Sequence, residues 1–504
     1  VRAAGALLLA VAIGAAGCGS SGGDCESSAL CGDGSFCFEG KCVTGLPAGS
    51  CTPPTTPTPV AGAPITATAP AACNVYSPST WPTPVAPYAS GWETHLGTYA
   101  VGQTVSFPVA AGTSSVTIHQ QGITAAASFD YYGYAIPNSV VPTALTAPNG
   151  GTVYVDDVNA PMIADPHLVT GHYAVPTPWT GSFTVPGTSR LVDLALSGGA
   201  LPAGQWSFQV NDWNRECANV QGCTPAMSGG TYDVTVVARP GPYVSTGTLD
   251  MAIYLPYPGI GNPTAAQAVA DPGYKRFVDS IGLLLGRAGI CLGTVTFINL
   301  PSWAPSAPDI TQEPPCSDLA RLFTLASPSV NGVHLFLVDA FNINGVIGID
   351  GSIPGPSGLP GAVTSGAAMI MGNIGTVSGG ADCTTGPFSL ANCGSDFSAY
   401  VAAHEMGHWL GLYHPTEAYG DQFDPIADTA TCACSDCASA SERGYCSYPV
   451  SSYATRMNPA WCLSQGATCG GADNLMFWVV DRSLSVGKLS SQQSLVMRVN
   501  PAVQ

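Results

Sequence analysis

Between about residues 92 and 240, apolar and polar positions alternate over short runs separated by turn residues. Thr104-Val105-Ser106-Phe107-Pro108-Val109 keeps a period of two, Ser115–Ile118 and Gly181–Val185 follow it, and Thr231–Val237 adds a β-branched run. Alternation sends every second side chain to one face of a sheet, so these runs predict half-buried strands. Pro137-Asn138 and Pro148-Asn149-Gly150-Gly151 punctuate them as turns, and Leu201 to Asp212 supplies a further strand. The stretch 91–242 therefore reads as an all-β sandwich.

Beyond residue 243 the pattern changes. Leu249–Leu255, Thr294–Ile298 and Val333–Val338 are nearly continuous apolar runs, the mark of strands covered on both faces. Ala265 to Ala288 predicts one long amphipathic helix with Val269, Phe277, Ile281 and Leu284 or Leu285 on its inner side. Phe397, Tyr400, Val401, His404 and His408 recur at the spacing of one helical face, with Ser395 or Asp396 as the cap. Residues 243–504 thus predict an α/β domain of α+β type, a mixed sheet carrying a helix that bears histidines.

The first 90 residues are of another kind. Arg2, an apolar run from Ala3 to Ala16, Gly17 and Cys18 have the parts of an export signal, too short to span a bilayer comfortably. Ala15-Ala16-Gly17-Cys18 resembles a bacterial lipobox. The resemblance implies a signal peptide over 1–17, lipidation of Cys18, and membrane attachment at the cell envelope; Gly19, rather than Asp, favours the outer membrane. Cys25, Cys31, Cys37 and Cys42 lie close together, with Cys51 nearby, so 18–51 reads as a lipid anchor followed by a small cysteine-stapled module. Residues 52–90 read as a linker, its Pro, Thr and Ala run from Thr52 to Ala72 being extended and semi-rigid.

Composition supports export. Setting Cys18 aside, the 19 cysteines leave an even number, which in an oxidising compartment implies disulfides. A second zinc site at Cys432, Cys434 and Cys437, with Cys446, is the competing reading of one cysteine cluster. Charged residues make up only 9% of the chain, so its surfaces must be built from small polar residues and turns. The net charge of −18 and the lack of a basic patch exclude nucleic acid as a partner.

The chemistry concentrates in His404-Glu405-Met406-Gly407-His408-Trp409-Leu410-Gly411-Leu412-Tyr413-His414, which holds three of the chain's 8 histidines. Residues four apart share a helical face, so His404 and His408 can offer nitrogens to one point. Gly411 allows a positive φ, which turns the chain so that His414 returns to the same point. Three protein ligands leave a fourth position open, the arrangement of a catalytic zinc. Glu405, next to the first ligand, is placed as the general base for a water on that metal. The remaining histidines (His95, His119, His167, His172 and His334) show no such spacing and read as ordinary strand, loop or core residues.

This extended motif resembles that of the metzincin zinc peptidases, whose signature is completed by a downstream Met-turn. Asp473-Asn474-Leu475-Met476-Phe477-Trp478 matches it, and the resemblance makes Met476 a hydrophobic floor beneath the three imidazoles. Asp424-Pro425-Ile426-Ala427-Asp428-Thr429, and Leu489 to Gln493 opening a last helix, are most similar to the pappalysin and cytophagalysin-like group. The likeness covers about the C-terminal half of the chain. It implies a zinc-dependent endopeptidase acting on protein or peptide substrates. It also implies an edge strand near Gly366–Gly372 for an extended peptide, and calcium at Asp424 and Asp428; an Asx-turn with solvated acids is the other reading of that pair. Several metzincin groups carry a tyrosine two residues after the methionine. Here Trp478 stands there, and indole cannot ligate zinc, so another donor serves or that contribution is missing. The sandwich, by its Leu201–Asp212 strand, resembles jelly-roll domains that accompany secreted proteases. The alternative is a lipid-anchored surface binding or adhesion protein with an inactive metzincin-like domain; the intact Glu405 weighs against it.

Overall fold

A computed structural model describes residues 35–38, 41–44, 58–67 and 92–504, except 125–126, 130–134, 138, 157–165, 172–178, 214–229, 311–316, 376–382, 384–385, 419, 421–422, 438–458, 465–468, 483–484 and 486. Cys18 and its leader, Cys25, Cys31, Cys51, His172 and Cys446 lie outside the described residues. The molecule is mixed α/β with several sheets.

The alternating runs pair as the pattern predicts. One sheet orders Thr170–Gly171, Thr152–Asp156, Ser139–Thr146, Gly204–Trp213 and Thr104–Val109; the other orders Thr180–Val185, Thr113–Thr124, Thr231–Pro240 and Glu93–Ala100. Thr104–Val109 buries every second residue and lies at a sheet edge, where Pro108 forfeits no ladder bond. Val105, Phe107, Trp206 and Phe208 from the first sheet share one core with Val116, Ile118, Tyr232 and Val234 from the second. A helix, Ser189–Gly198, interrupts this β region; Thr188 caps it through Leu191 N–H, and left-handed Gly199 ends it.

A six-stranded sheet runs Gly348–Asp350, Ala367–Ile370, Gly332–Val338, Gly247–Leu255, Ile290–Asn299 and Val60–Ala61. Only Gly348–Asp350 is antiparallel to its neighbour. Successive side chains enter opposite cores, which explains the unbroken apolar runs. Met251, Ile253 and Leu335 meet Phe277, Ile281 and the histidine-bearing helix on one side; Ala252, Tyr254 and Phe336 meet Leu322 and Phe323 on the other.

Three expectations are corrected. The helix expected over Ala265–Ala288 is two, Ala265–Ala270 and Pro272–Gly286, because Pro272 lacks the N–H and Asp271 caps the second through Gly273 and Tyr274 N–H. Ala367–Ile370 is paired on both sides, so the edge is Gly348–Asp350 instead. Within the supposed linker, Val60–Ala61 joins the opposite edge of the sheet, and Gly62 N–H and Ile65 N–H donate to Phe297 O and Asn299 O.

The β region is seated on the α/β region. Ser189 N–H donates to Pro425 O at 2.8 Å, Ser189 Oγ accepts from Ala427 N–H at 2.7 Å, and Arg239 Nε donates to Val503 O at 2.7 Å. Disulfides join Cys383–Cys393, Cys432–Cys469 and Cys437–Cys462, and Cys434 is also disulfide-bonded. The cluster read as a possible second zinc site is therefore cross-linked.

Candidate metal centre

The histidine-bearing helix spans Gly394–Trp409, and every residue from Ser395 to Trp409 is buried. A helix buried on every face lies inside a core, not on a surface, so the polar side chains it carries need partners there. It starts earlier than the sequence suggests. Cys393, tied to Cys383, occupies the cap position without a side-chain bond, while Ser395 and Asp396 sit in the first turn. Ser395 Oγ donates to Gly273 O, and Asp396 binds Arg276 and Ser280, so both join this helix to Pro272–Gly286.

Gly411 has φ +108°, the left-handed backbone the motif requires. The turn brings three Nε2 atoms together: 3.1 Å between His404 and His408, 3.1 Å between His404 and His414, and 3.0 Å between His408 and His414. Each ring spends its other nitrogen elsewhere. His404 Nδ1 lies 2.8 Å from Leu475 O, His408 Nδ1 2.7 Å from Leu412 O, and His414 Nδ1 2.9 Å from Glu417 Oε1. Those acceptors fix the proton on Nδ1, so three Nε2 lone pairs face one another. Lone pairs so arranged repel unless a cation lies between them, and the spacing suits one ion with bonds of about 2.0–2.1 Å. Burial holds the His404 ring down to about 3 and His408 well below its usual range, so both stay neutral. The donor set fits zinc.

Glu405 is buried beside the triad, and burial pushes its carboxyl up to about 8. Gly348 on the edge strand explains how it is held: a Cβ there would stand 2.3 Å from Glu405 Oε1. Asp350, on the same strand face, is near enough for the two acids to repel. Met476 is fully buried against the helix, and a Cβ on Gly407 would meet its Sδ at 2.3 Å. Met476 thus lies under the turn that joins the first two histidines. Its loop is fastened to the site by Tyr400 OH donating to Asn474 O and by His404 Nδ1 at Leu475 O. Trp478 lines a cavity of about 490 Å³ with the three histidines, Glu405 and the edge strand.

Two site residues escaped the sequence. Glu417 orients His414, a role usually worth 10–100-fold in metal affinity; its only signal is an acid three residues beyond a ligand. Asp350 hides in a short Gly- and Ile-rich segment. Asp424 and Asp428 lie in the loop after the helix. Asp424 accepts from Thr429 Oγ1 at 2.5 Å and from Gln493 Nε2 at 3.3 Å, and Asp428 Oδ2 from Gln492 N–H at 3.0 Å.

No protein-family model matches the chain, and no curated protein matches it. Among solved structures it is similar to a chaperone–substrate complex, with 12% identity and a TM-score of 0.26 over 53% of this chain and 38% of that one. It is also similar to metalloproteinase-II from Bacteroides fragilis, with 13% identity and a TM-score of 0.21 over 39% of this chain and 58% of that one. A family two carbohydrate esterase from Cellvibrio japonicus follows at 10% identity and a TM-score of 0.12, over 51% and 66% of the two chains. The chain therefore spans less than two thirds of each of the first two.

Proposed function

We propose that this protein is a zinc-dependent endopeptidase of the metzincin type, similar to the pappalysins, acting on extracellular or surface proteins. One observation carries the reading: three Nε2 atoms within 3.1 Å of one another, each ring's Nδ1 set against a carbonyl or carboxylate oxygen, with a buried carboxyl group adjacent. His404, His408 and His414 would hold the zinc, which when bound would supply Lewis-acid polarisation of the scissile carbonyl and a lowered pKa for the attacking water. Glu405 takes the proton of the attacking water and passes it to the leaving amine. Met476 packs beneath the histidine pair and resists its displacement. The unpaired side of Gly348–Asp350 offers backbone groups to an extended peptide laid across the cavity. The reading includes export and a lipid anchor at Cys18, supported by the leader pattern and by the disulfides. The purified chain is expected to carry one zinc, to cleave unfolded casein, to lose cleavage with 1,10-phenanthroline and to regain it with zinc. Cleavage indifferent to the chelator would refute it.

Calcium at Asp424 and Asp428 is the second part of the proposal. Burial raises both carboxyls, Asp424 to about 8, and Asp428 Oδ1 is buried with no hydrogen-bond partner. A hard divalent cation would satisfy that oxygen and offset the repulsion between the acids. At a hundredfold excess over its dissociation constant such an ion stabilises by about 2.7 kcal/mol. Excess calcium should thus raise the melting temperature of the zinc-loaded chain by several degrees and leave Asp428→Asn unmoved. Identical melting of the parent chain with and without calcium removes this site.

A further inference from the structure

We infer that the β-sandwich is a working part of the metal centre and that Ser189 is a positioning residue for the zinc, an inference that rests on the zinc reading of the three histidines. Two of those ligands stand on one buried helix, which fixes their spacing by itself. His414 does not. It follows the left-handed turn at Gly411 and lies in a loop that runs on through Pro425 and Ala427. Glu417 orients its ring, but the place of the loop depends on what the loop is fastened to.

The sandwich fastens it. Ser189, the first residue of the helix that interrupts the β region, is fully buried. Its N–H donates to Pro425 O at 2.8 Å, and its hydroxyl accepts from Ala427 N–H at 2.7 Å while donating to Gln492 Oε1 on the last helix. One residue of the sandwich thus commits both its N–H and its hydroxyl to the loop and to the helix behind it. The contact continues toward the ligand. Tyr154, Phe183 and Thr188 from the sandwich face Gly411, Tyr413 and Pro425, and the void left between them is about 10 Å³, room for one water at most. Tyr413, next to His414, donates through its OH to Ile353 O at 3.1 Å, just beyond the edge strand. A seam packed this closely transmits a displacement and does not absorb it. Loss of the Ser189 hydroxyl frees the Pro425–Ala427 end of the loop, and His414 moves with it.

Coupling of this kind is reciprocal: if the sandwich holds the ligand loop, zinc must also hold the sandwich. Hydrogen exchange of the full chain, zinc-loaded and after zinc removal, reads this without any substitution. Removing zinc should speed exchange at the Ser189 and Ala427 N–H groups and leave Gly102 N–H, bonded within the sandwich to Val210 O, as it was. Equal exchange at Ser189 in both states overturns the inference. Ser189→Ala should weaken zinc by about tenfold, the low end for groups beyond the ligands, and shift the visible spectrum of the cobalt-loaded chain. Ser189→Thr keeps the hydroxyl and should keep both properties. Ser115→Ala is the control: it removes another buried bond between the two regions, to Val499 O, and should leave affinity and spectrum at their parent values. An equal loss of zinc in Ser115→Ala would mean that Ser189 acts only through general stability, and the assignment falls. None of these readouts needs turnover, so a chain that shows them yet cleaves no casein sinks the peptidase reading alone. Casein cleavage with a Ser189→Ala chain of parent zinc affinity and spectrum sinks the inference alone, and a chain that takes up no zinc sinks both.

Discussion

Glu405→Gln should keep its zinc and lose nearly all turnover. The amide matches the carboxylate in size, and Gly348 leaves no room for a side chain that moves, so the substitution changes chemistry more than shape. The ligands are His404, His408 and His414, whose rings are oriented by Leu475 O, Leu412 O and Glu417; none depends on Glu405. An amide cannot accept the proton of the attacking water. General acid–base catalysis contributes about 10²–10⁴-fold, so kcat/KM on casein should fall by at least a hundredfold at unchanged zinc content. Cleavage at the parent rate would show that another group accepts the proton, and the mechanism drawn here would be wrong. A zinc-free variant would show instead that Glu405 holds the site together.

The site was legible wherever its geometry is local. His404, His408 and His414 are fixed by helical spacing plus one glycine, and Gly411 is indeed left-handed. Met476 could be placed only through a resemblance, yet Gly407 has the open face its sulfur needs. Pairing between distant segments was not legible. Nothing in Val60-Ala61 announces Thr296 and Phe297 as its partners, because a two-residue strand has no periodicity of its own. The true edge, Gly348–Asp350, is equally short, so the longer Ala367–Ile370 drew the assignment. The split at Asp271-Pro272 was visible in principle, since Asp before Pro is a helix start; the apolar period running through it masked the break.

Asp396→Ala should cost about 1.5–3 kcal/mol of stability, the contribution of hydrogen bonds to a charged group, and less than a fully buried pair would lose because Arg276 is partly exposed. Asp396 is fully buried in the first turn of the histidine-bearing helix, where its charge also suits the helix N-terminus. Arg276 Nε and Nη2 donate to its two oxygens at 2.7 and 2.9 Å, Ser280 Oγ donates at 2.6 Å and Ser389 N–H at 2.7 Å. Alanine strands all four donors, including a guanidinium that the Asp396 hydrogen bonds hold above its ordinary pKa. The pair joins Pro272–Gly286 to the helix that carries two of the three metal ligands, so zinc affinity should fall with stability. Replacing both members, as Arg276→Met with Asp396→Ala, should recover much of the loss, because the cost lies in the unpaired charge and not in a missing attraction. Denaturant unfolding of the two variants beside the parent checks this. An Asp396→Ala chain that unfolds at the parent midpoint would mean that apolar packing alone joins the two helices.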